Sequence, residues 1–297
     1  MITKILCPLD LSDFSKWAFE HAIALGRWYH ADVVALHVFA TWTPPGSLST
    51  YPGWMQQVAE ARAQIDDELR GLVQLAQGSG MGVPLATREG DPVSGILEQA
   101  ASMAADLIVL STHGRSGFDR LTLGSVAEKV LRKATFPVLV VPAQGATATH
   151  PFAGYRRIIC AIDFSDCSRQ GLAYALSLAG HAGAGLTLVH VVEAVAGPEV
   201  VDDRAPFAAL RRVQVETAQG LLRSIAREHE GRGRAIDDVV RPGIPHREIL
   251  GIAREIDADL VVLGVRGRGQ VDLTLFGSTT NQVVRRAPCA VLTVRAN

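Results

Sequence analysis

The sequence predicts an α/β protein made of two tandem domains, each with a five-stranded, mainly parallel sheet and helices on both faces. Three observations predict it. The chain has 297 residues, which suits two domains. Strand-sized apolar runs alternate with stretches of helical periodicity, as in βαβ units. A single offset, the 153 residues that separate Asp10 from Asp163, relates one half of the sequence to the other.

The repeat runs through the whole chain without drift. The same offset pairs His37 with His190, Arg88 with Arg241, Gly90 with Gly243, Pro92 with Pro245, Ile96 with Ile249, Asp106 with Asp259, Gly114 with Gly267, Gly124 with Gly277, and Val138 with Val291. We infer duplication of a complete domain rather than short solenoid repeats. Residues 143–154 have the Ala, Gly, Thr and Pro composition of a linker. We therefore expect copy one over residues 1–145 and copy two over residues 154–297.

Each copy has five predicted strands separated by four predicted helices. In copy one the order is strand 4–9, helix 13–30, strand 32–39, helix 55–77, strand 83–88, helix 92–104, strand 107–110, helix 125–134 and strand 138–141. The strands are short apolar runs, and the helices have apolar residues at helical spacing. Segment 41–53 is rich in Pro and Gly and predicts a loop. Asp91 and Pro92 suit the N-cap and the first position of the third helix.

Composition and charge exclude several functional classes. The formal net charge is −1, with 29 basic and 30 acidic residues, which lacks the basic excess of a nucleic-acid or anionic-membrane binder. The longest apolar runs, such as 260–265, are far shorter than the roughly 20 residues that span a bilayer. The first residues lead directly into a strand and lack the pattern of a signal peptide. We expect a soluble, cytoplasmic protein.

The four cysteines are expected to be buried thiols. Cys7 and Cys160 lie inside apolar strand runs, and the chain has no Cys-x-x-Cys pair. A structural disulfide is the less favoured alternative in a reducing compartment.

A glycine-rich loop follows the fourth strand of each copy and leads into a helix. Copy two has Gly264, Gly267 and, nine residues later, Gly277-Ser278; copy one has Ser111, Gly114 and, nine residues later, Gly124-Ser125. Glycine lets the backbone approach a ligand, and a helix N-terminus presents free N–H groups to an anion. We therefore expect a phosphate site at the carboxyl edge of each sheet. The serine hydroxyl would add a donor, and Arg115 and Arg268 would reach the outer phosphates.

Two features of copy one bear on this expectation. Ser125 and Glu128 fit a capping box, which requires no ligand. Copy two has Asn281 in place of Glu128, so Ser278 cannot form the same box. Ser111 replaces the first glycine of the loop, and if that position needs a positive φ, serine is disfavoured there.

Both halves resemble the universal stress protein family, and together they resemble its tandem-domain members. The resemblance rests on the repeat and on the pattern Gly-x-x-Gly-x₉-Gly-Ser/Thr, which is complete in copy two. It implies a Rossmann-like, adenine nucleotide α-hydrolase-like fold that binds ATP, with Mg²⁺ as a possible companion. It also implies an adenine and ribose subsite at Asp10, Val38, Asp163 and Val191. From the residues alone, an Asp at the end of a strand either accepts from ribose or caps the next helix.

The remaining candidates favour structural roles. His37 and His190 lie in apolar strand runs, where a hydrogen-bonded core histidine is favoured over a metal ligand. His113 adjoins Ser111, but no Asp is positioned by sequence to complete a triad. No metal-ligand spacing occurs in the sequence.

Three classes of function fit these observations: a nucleotide-dependent stress-response or signalling factor, an enzyme that uses ATP, and a nucleotide-free interaction scaffold. The chain lacks a Gly-x₄-Gly-Lys-Ser/Thr loop and the protein-kinase signatures. No general base is evident beside the loop, so we expect slow hydrolysis or none.

The apolar last strands, 138–141 and 291–294, are expected at sheet edges, where they would pair. The resemblance implies an internal pseudo-dimer through these strands, with a further homodimer and an unknown protein partner as additional possibilities.

Overall fold

Strands and helices alternate along the chain in the predicted order. The computed structural model describes residues 2–40, 53–77, 80–113, 123–142, 152–193, 205–229, 236–265 and 277–295. Copy one contains β1 (Lys4–Pro8), α1 (Asp13–Tyr29), β2 (Asp32–Phe39), α2 (Trp54–Gln77), β3 (Leu85–Glu89), α3 (Pro92–Ser102), β4 (Leu107–Ser111), α4 (Ser125–Lys133) and β5 (Val138–Val141). Copy two contains β6 (Arg157–Ala161), α5 (Asp166–Ala182), β7 (Gly185–Glu193), α6 (Ala205–His229), β8 (Ile236–Gly243), α7 (Pro245–Glu255), β9 (Leu260–Gly264), α8 (Ser278–Arg286) and β10 (Ala290–Val294).

Several boundaries differ from the prediction by one or two residues, for local reasons. β3 begins at Leu85 rather than at residue 83, since Pro84 has no N–H to donate to a neighbouring strand. α1 ends at Tyr29 because His30 adopts a left-handed φ of 52°. α3 ends at Ser102 rather than at residue 104, and Ala104 itself has a φ of 51°.

All ten strands form one continuous sheet in the order β3-β2-β1-β4-β5-β10-β9-β6-β7-β8. Within each copy the paired strands are parallel. The strand order reverses between β1 and β4 in copy one, and between β6 and β9 in copy two. Such a reversal leaves a crevice at the carboxyl ends of the strands, where ligands of doubly wound sheets bind.

The two copies join through their last strands, as expected. β5 and β10 pair antiparallel, with Leu139 opposite Leu292, Val140 opposite Val291 and Val138 opposite Thr293. Leu139 and Leu292 are counterparts in the repeat, so the pairing is symmetric about them. The chain is thus an internal pseudo-dimer.

Residues with a positive φ recur at the repeat offset. Leu11 and Phe164 have φ values of 65° and 63°, and Ala104 and Asp257 have values of 51° and 45°. Residues with a β-carbon rarely adopt this conformation. Its recurrence at matched positions shows that the duplication preserved the backbone as well as the sequence pattern.

The core has one hydrophobic cluster on each face of the sheet, and each cluster includes residues from both copies. One contains Phe19, Leu69, Leu172 and Leu222 of α1, α2, α5 and α6. The other contains Ile96, Leu131, Ile249 and Val283 of α3, α4, α7 and α8. Helices therefore cover both faces, as predicted.

The four cysteines are buried and carry free thiols. Burial raises the pKa of Cys7 and Cys160 above the usual range and raises that of Cys289 to about 12. These three thiols therefore stay protonated at neutral pH. Of the helices in the described ranges, none is both long enough and apolar enough to cross a membrane.

Candidate functional site

A cavity of about 800 Å³ lies at the carboxyl ends of β6, β7 and β9 in copy two. Five predicted site residues line it: Asp163, Val191, Gly264, Gly277 and Ser278. The volume is within the range of small-molecule sites, and the position coincides with the reversal in strand order. The structure thus brings together the predicted copy-two residues that it describes. Gly267 and Arg268 lie outside the described residues.

The helix that begins at this cavity has no side-chain cap. Gly277 is the N-cap of α8 and contributes no side-chain hydrogen bond. The first intrahelical bond runs from the N–H of Asn281 to the carbonyl of Gly277, at 2.9 Å. The N–H groups of Ser278, Thr279 and Thr280 therefore have no acceptor within the helix. Together with the positive end of the helix dipole, they offer a site for an anion.

In copy one the capping-box alternative is wrong. α4 also begins after a glycine, Gly124, without a side-chain cap, so that Ser125 is its first helical residue rather than its N-cap. The carboxylate of Glu128 instead accepts from Arg285 of copy two, with Nη2 and Oε2 2.8 Å apart. Arg285 also donates through Nε to Oδ1 of Asn281, at 2.7 Å.

The first glycine of the loop is required by packing, so the positive-φ explanation is wrong. Gly264 is not among the residues with a positive φ. A β-carbon there would lie 2.8 Å from Cβ of Cys167 and 3.0 Å from the amide nitrogen of Ser168. The N-terminus of α5 therefore comes too close to the end of β9 for any side chain. In copy one Ser111 is accommodated, and its hydroxyl donates to the carbonyl of His113, at 2.6 Å.

The glycine that precedes the helix, Gly124 in copy one and Gly277 in copy two, is also a point of close backbone approach. A β-carbon at Gly277 would lie 2.8 Å from the carbonyl oxygen of Val265, and one at Gly124 would lie 3.0 Å from that of Thr112. The glycine N–H donates to the same carbonyl in each copy, at 3.1 and 2.7 Å. This bond ties the start of the helix to the end of the preceding strand.

The aspartate after the first strand organises a turn in each copy. Oδ1 of Asp10 accepts from the N–H and hydroxyl of Ser12, at 3.1 and 2.6 Å. Oδ1 of Asp163 accepts from the same groups of Ser165, at 3.0 and 2.5 Å. Each serine in turn caps the following helix, so the aspartate supports the cap indirectly. Because Asp163 also lines the cavity, this local role is compatible with a role toward a ligand.

The two strand histidines are hydrogen-bonded, as predicted; His37 is buried in the core, whereas His190 is half-buried and also lines the cavity. Nδ1 of His37 donates to the carbonyl of Leu9, and Nδ1 of His190 donates to that of Ile162, both at 2.6 Å. Among the described residues, no group of three His, Cys, Asp or Glu side chains is placed to hold a metal ion.

Helix α6 contributes a wall of the cavity that the loop motif does not predict. Val213, Gln214, Thr217 and Leu221 line it from this helix. Val213 and Leu221 are 58% and 49% exposed, which is unusual for large aliphatic residues on a helix that packs against a sheet. Alignment of the two copies at the repeat offset could have revealed this wall, because copy one has Glu60 and Glu68 at the positions of Val213 and Leu221.

The predicted residues of copy one lie at the corresponding edge. Asp10 follows β1, Val38 is the penultimate residue of β2, and Ser111 is the last residue of β4. Gly124 and Ser125 are the N-cap and the first residue of α4. Since β1 is flanked by β2 and β4, these residues occupy neighbouring strand ends. Gly114 and Arg115 lie outside the described part of the chain.

Comparison with known proteins agrees with this architecture. The model of the Universal stress protein family matches residues 1–142 and again residues 154–295. A universal stress protein of Methanocaldococcus jannaschii is 36% identical over 138 residues, which cover 46% of this chain and 81% of that protein. One from Mycobacterium tuberculosis is 29% identical over 259 residues, which cover 86% of this chain and 83% of that protein.

A solved structure shares the two-copy fold. The crystal structure of a universal stress protein from Archaeoglobus fulgidus aligns with a TM-score of 0.69 and 23% identity, covering 99% of this chain and 96% of that one. The fold is therefore that of two Rossmann-like domains in tandem. With the family pattern matched twice along its length, the chain belongs to the universal stress protein family.

Proposed function

We propose that the chain binds an adenine nucleotide at the carboxyl edge of copy two and acts as a nucleotide-dependent stress-response or signalling factor. The observation that carries this proposal is the N-terminus of α8, which has no side-chain cap and opens on a cavity of about 800 Å³. An anionic phosphate tail satisfies the N–H groups of Ser278, Thr279 and Thr280 and interacts favourably with the helix dipole.

The other lining residues suit the remaining parts of a nucleotide. The carboxylate of Asp163, held in place by Ser165, is an acceptor for ribose hydroxyls. Val191 and the aliphatic side chains of α6 offer apolar surface for the base. Gly267 and Arg268 complete the phosphate loop in this proposal. In copy one the counterparts are Asp10, Val38, Ser111, Gly114, Arg115, Gly124 and Ser125.

We also propose that the bound nucleotide is hydrolysed slowly or not at all. Hydrolysis needs a general base within hydrogen-bond reach of the attacking water. Asp163 and His190, which line the cavity, already bond to Ser165 and to the carbonyl of Ile162. Among the described residues that line the cavity, the remaining carboxylate is that of Glu193, the last residue of β7. Sustained turnover above about 1 s⁻¹, the low end of ordinary enzyme rates, would contradict a binding role.

The direct test is mass spectrometry of small molecules released when freshly purified protein is denatured, followed by calorimetric titration of the stripped protein with MgATP. We expect an adenine nucleotide in the released fraction and saturable binding in the titration. If the released fraction contains no nucleotide and the titration gives no heat, the proposal is wrong, and a nucleotide-free scaffold is the function that remains.

A further inference from the structure

We infer that the nucleotide occupies copy two alone, one per chain, because contacts between side chains bridge the corresponding groove of copy one. This inference rests on the proposed function and adds that the two copies differ in nucleotide occupancy. Three differences between matched positions support it.

The first difference is an ion pair between α1 and α2. In copy one Nζ of Lys16 lies 3.4 Å from Oε1 of Glu68, which links the two helices. In copy two the counterpart of Glu68 is Leu221, which lines the open cavity. The counterpart of Lys16 is Arg169, which pairs with Asp166 on its own helix, at 3.1 Å. The side of the groove that is open in copy two is thus bridged in copy one.

The second difference ties α2 to the ends of β2 and β3. Nη1 of Arg62 lies 2.5 Å from Oε1 of Glu89, and the guanidinium carbon lies 4.4 Å from the centre of the Phe39 ring. The matching residues of copy two are Val215, Pro242 and Val192, which have neither the charges nor the ring. Copy one therefore ties α2 both to α1 and to the ends of β2 and β3. In copy two α6 contacts β8 instead, through Gln219 and Arg223, which lie 3.4 and 3.8 Å from the carboxylate of Asp238.

The third difference lies at the phosphate end of the groove. The rings of Phe14 and His113 lie 5.9 Å apart, between the first turn of α1 and the segment after β4. His113 is buried, and its Nδ1 lies 2.8 Å from Oγ1 of Thr112. The counterpart of Phe14 is Cys167, a much smaller residue that packs closely against Gly264. In copy one the Phe14 ring thus packs against the segment that follows β4, whereas the smaller Cys167 brings no ring to the corresponding place in copy two.

The test uses two variants of the full chain that introduce the same charge. Ser278→Glu places a carboxylate on the first residue of α8, at the cavity, whereas Val126→Glu places one on the second residue of α4. Both residues are exposed, and an acidic residue at a helix N-terminus stabilises the helix, so both variants are expected to fold. Isothermal titration with MgATP reports the number of sites and the affinity of each protein.

We expect one site per chain in the wild type. Ser278→Glu should lose at least ~10-fold in affinity, and Val126→Glu should match the wild type within about twofold. A titration that shows two sites per chain would contradict occupancy of copy two alone. So would binding that survives in Ser278→Glu but weakens in Val126→Glu. In both cases the proposed nucleotide binding itself would stand. A wild type that binds no nucleotide would overturn both the proposed function and this inference.

Discussion

At the scale of single residues, His21 combines deep burial with incomplete hydrogen bonding. It is 4% exposed, its Nδ1 lies 2.9 Å from the hydroxyl of Tyr155, and its ring stacks on Phe152 with centroids 3.7 Å apart. Its Nε2 has no hydrogen-bond partner among the described residues. Burial lowers the pKa of His21 to about 3. The neutral imidazole therefore holds the segment before β6 against α1, across the boundary between the copies.

This buried imidazole makes stability depend on pH. The pKa of His21 is about 3 in the folded state and 6.5 in an unperturbed histidine, so the unfolded chain binds the proton more tightly. The free energy of unfolding should fall as pH drops below 6.5, by up to ~1.4 kcal/mol per pH unit from this residue. Urea titrations from pH 7 to pH 4 should give a flatter dependence for His21→Phe than for the wild type. If the free energies of unfolding of the two proteins change equally with pH, protonation of His21 is not the cause of the pH dependence.

The packing of Gly264 predicts a second single-residue effect. In Gly264→Ala the new β-carbon would meet Cβ of Cys167 at 2.8 Å, so α5 or β9 must shift. We expect a loss of ~1–3 kcal/mol in the free energy of unfolding, as for other overpacked sites. Gly171→Ala, in α5, is the matched control, because its β-carbon would meet nothing closer than 3.7 Å and alanine favours a helix interior. Equal losses in both variants would show that close approach is not the cause.

At the scale of secondary-structure elements, α4 is anchored to copy two at both ends. Arg285 of α8 bonds to Glu128 in the first half of α4. Nη2 of Arg295 donates to the carbonyls of Leu131 and Arg132 in its last turn, at 3.2 and 2.8 Å. Within the helix these carbonyls have no N–H donor, because α4 ends at Lys133. The position of α4 therefore depends on copy two.

A double-mutant cycle can measure this link. The side chains of Arg285 and Glu128 are 29% and 33% exposed, so their pair is partly shielded from water. We expect Arg285→Met and Glu128→Gln to show a coupling energy of ~1 kcal/mol in urea unfolding. The pair Arg169 and Asp166, which is 68% and 83% exposed, should show almost none. A coupling near zero for the first pair would mean that the contact is not stabilising.

The sequence could predict the order of elements and the start of α8 because local chemistry determines both. Apolar runs define the strands, and Gly277-Ser278 marks the start of a helix without a capping side chain. It could not distinguish a capping box at Ser125 from a helix that begins at that residue. Nor could it foresee that Gly264 faces the backbone of α5, or that Glu128 pairs with Arg285. Those contacts depend on how distant segments pack, which periodicity does not encode.

At the scale of the whole molecule, the seam between β5 and β10 determines how the copies assemble. Leu139 and Leu292, which are counterparts in the repeat, face each other at its centre. In an isolated copy two, β10 would have an unpaired edge, and a second β10 could occupy the place of β5 in the same register. Within the full chain both edges are already used, so a homodimer would need another surface.

The seam predicts that a fragment of residues 152–297 forms a homodimer. Leu292 would then lie opposite its own copy, as it lies opposite Leu139 in the full chain. Light scattering should give twice the mass of the fragment. On dilution the mass should fall towards that of a single fragment, because reversible pairing of two chains depends on concentration. A monomeric fragment would show that the seam is too weak to associate without the linker.

The antiparallel pairing at this seam also sets the direction in which each copy faces. Strands of the two copies run in opposite senses, so their carboxyl ends point to opposite poles of the molecule. The candidate site of copy two and the matching edge of copy one therefore open at opposite ends of the sheet.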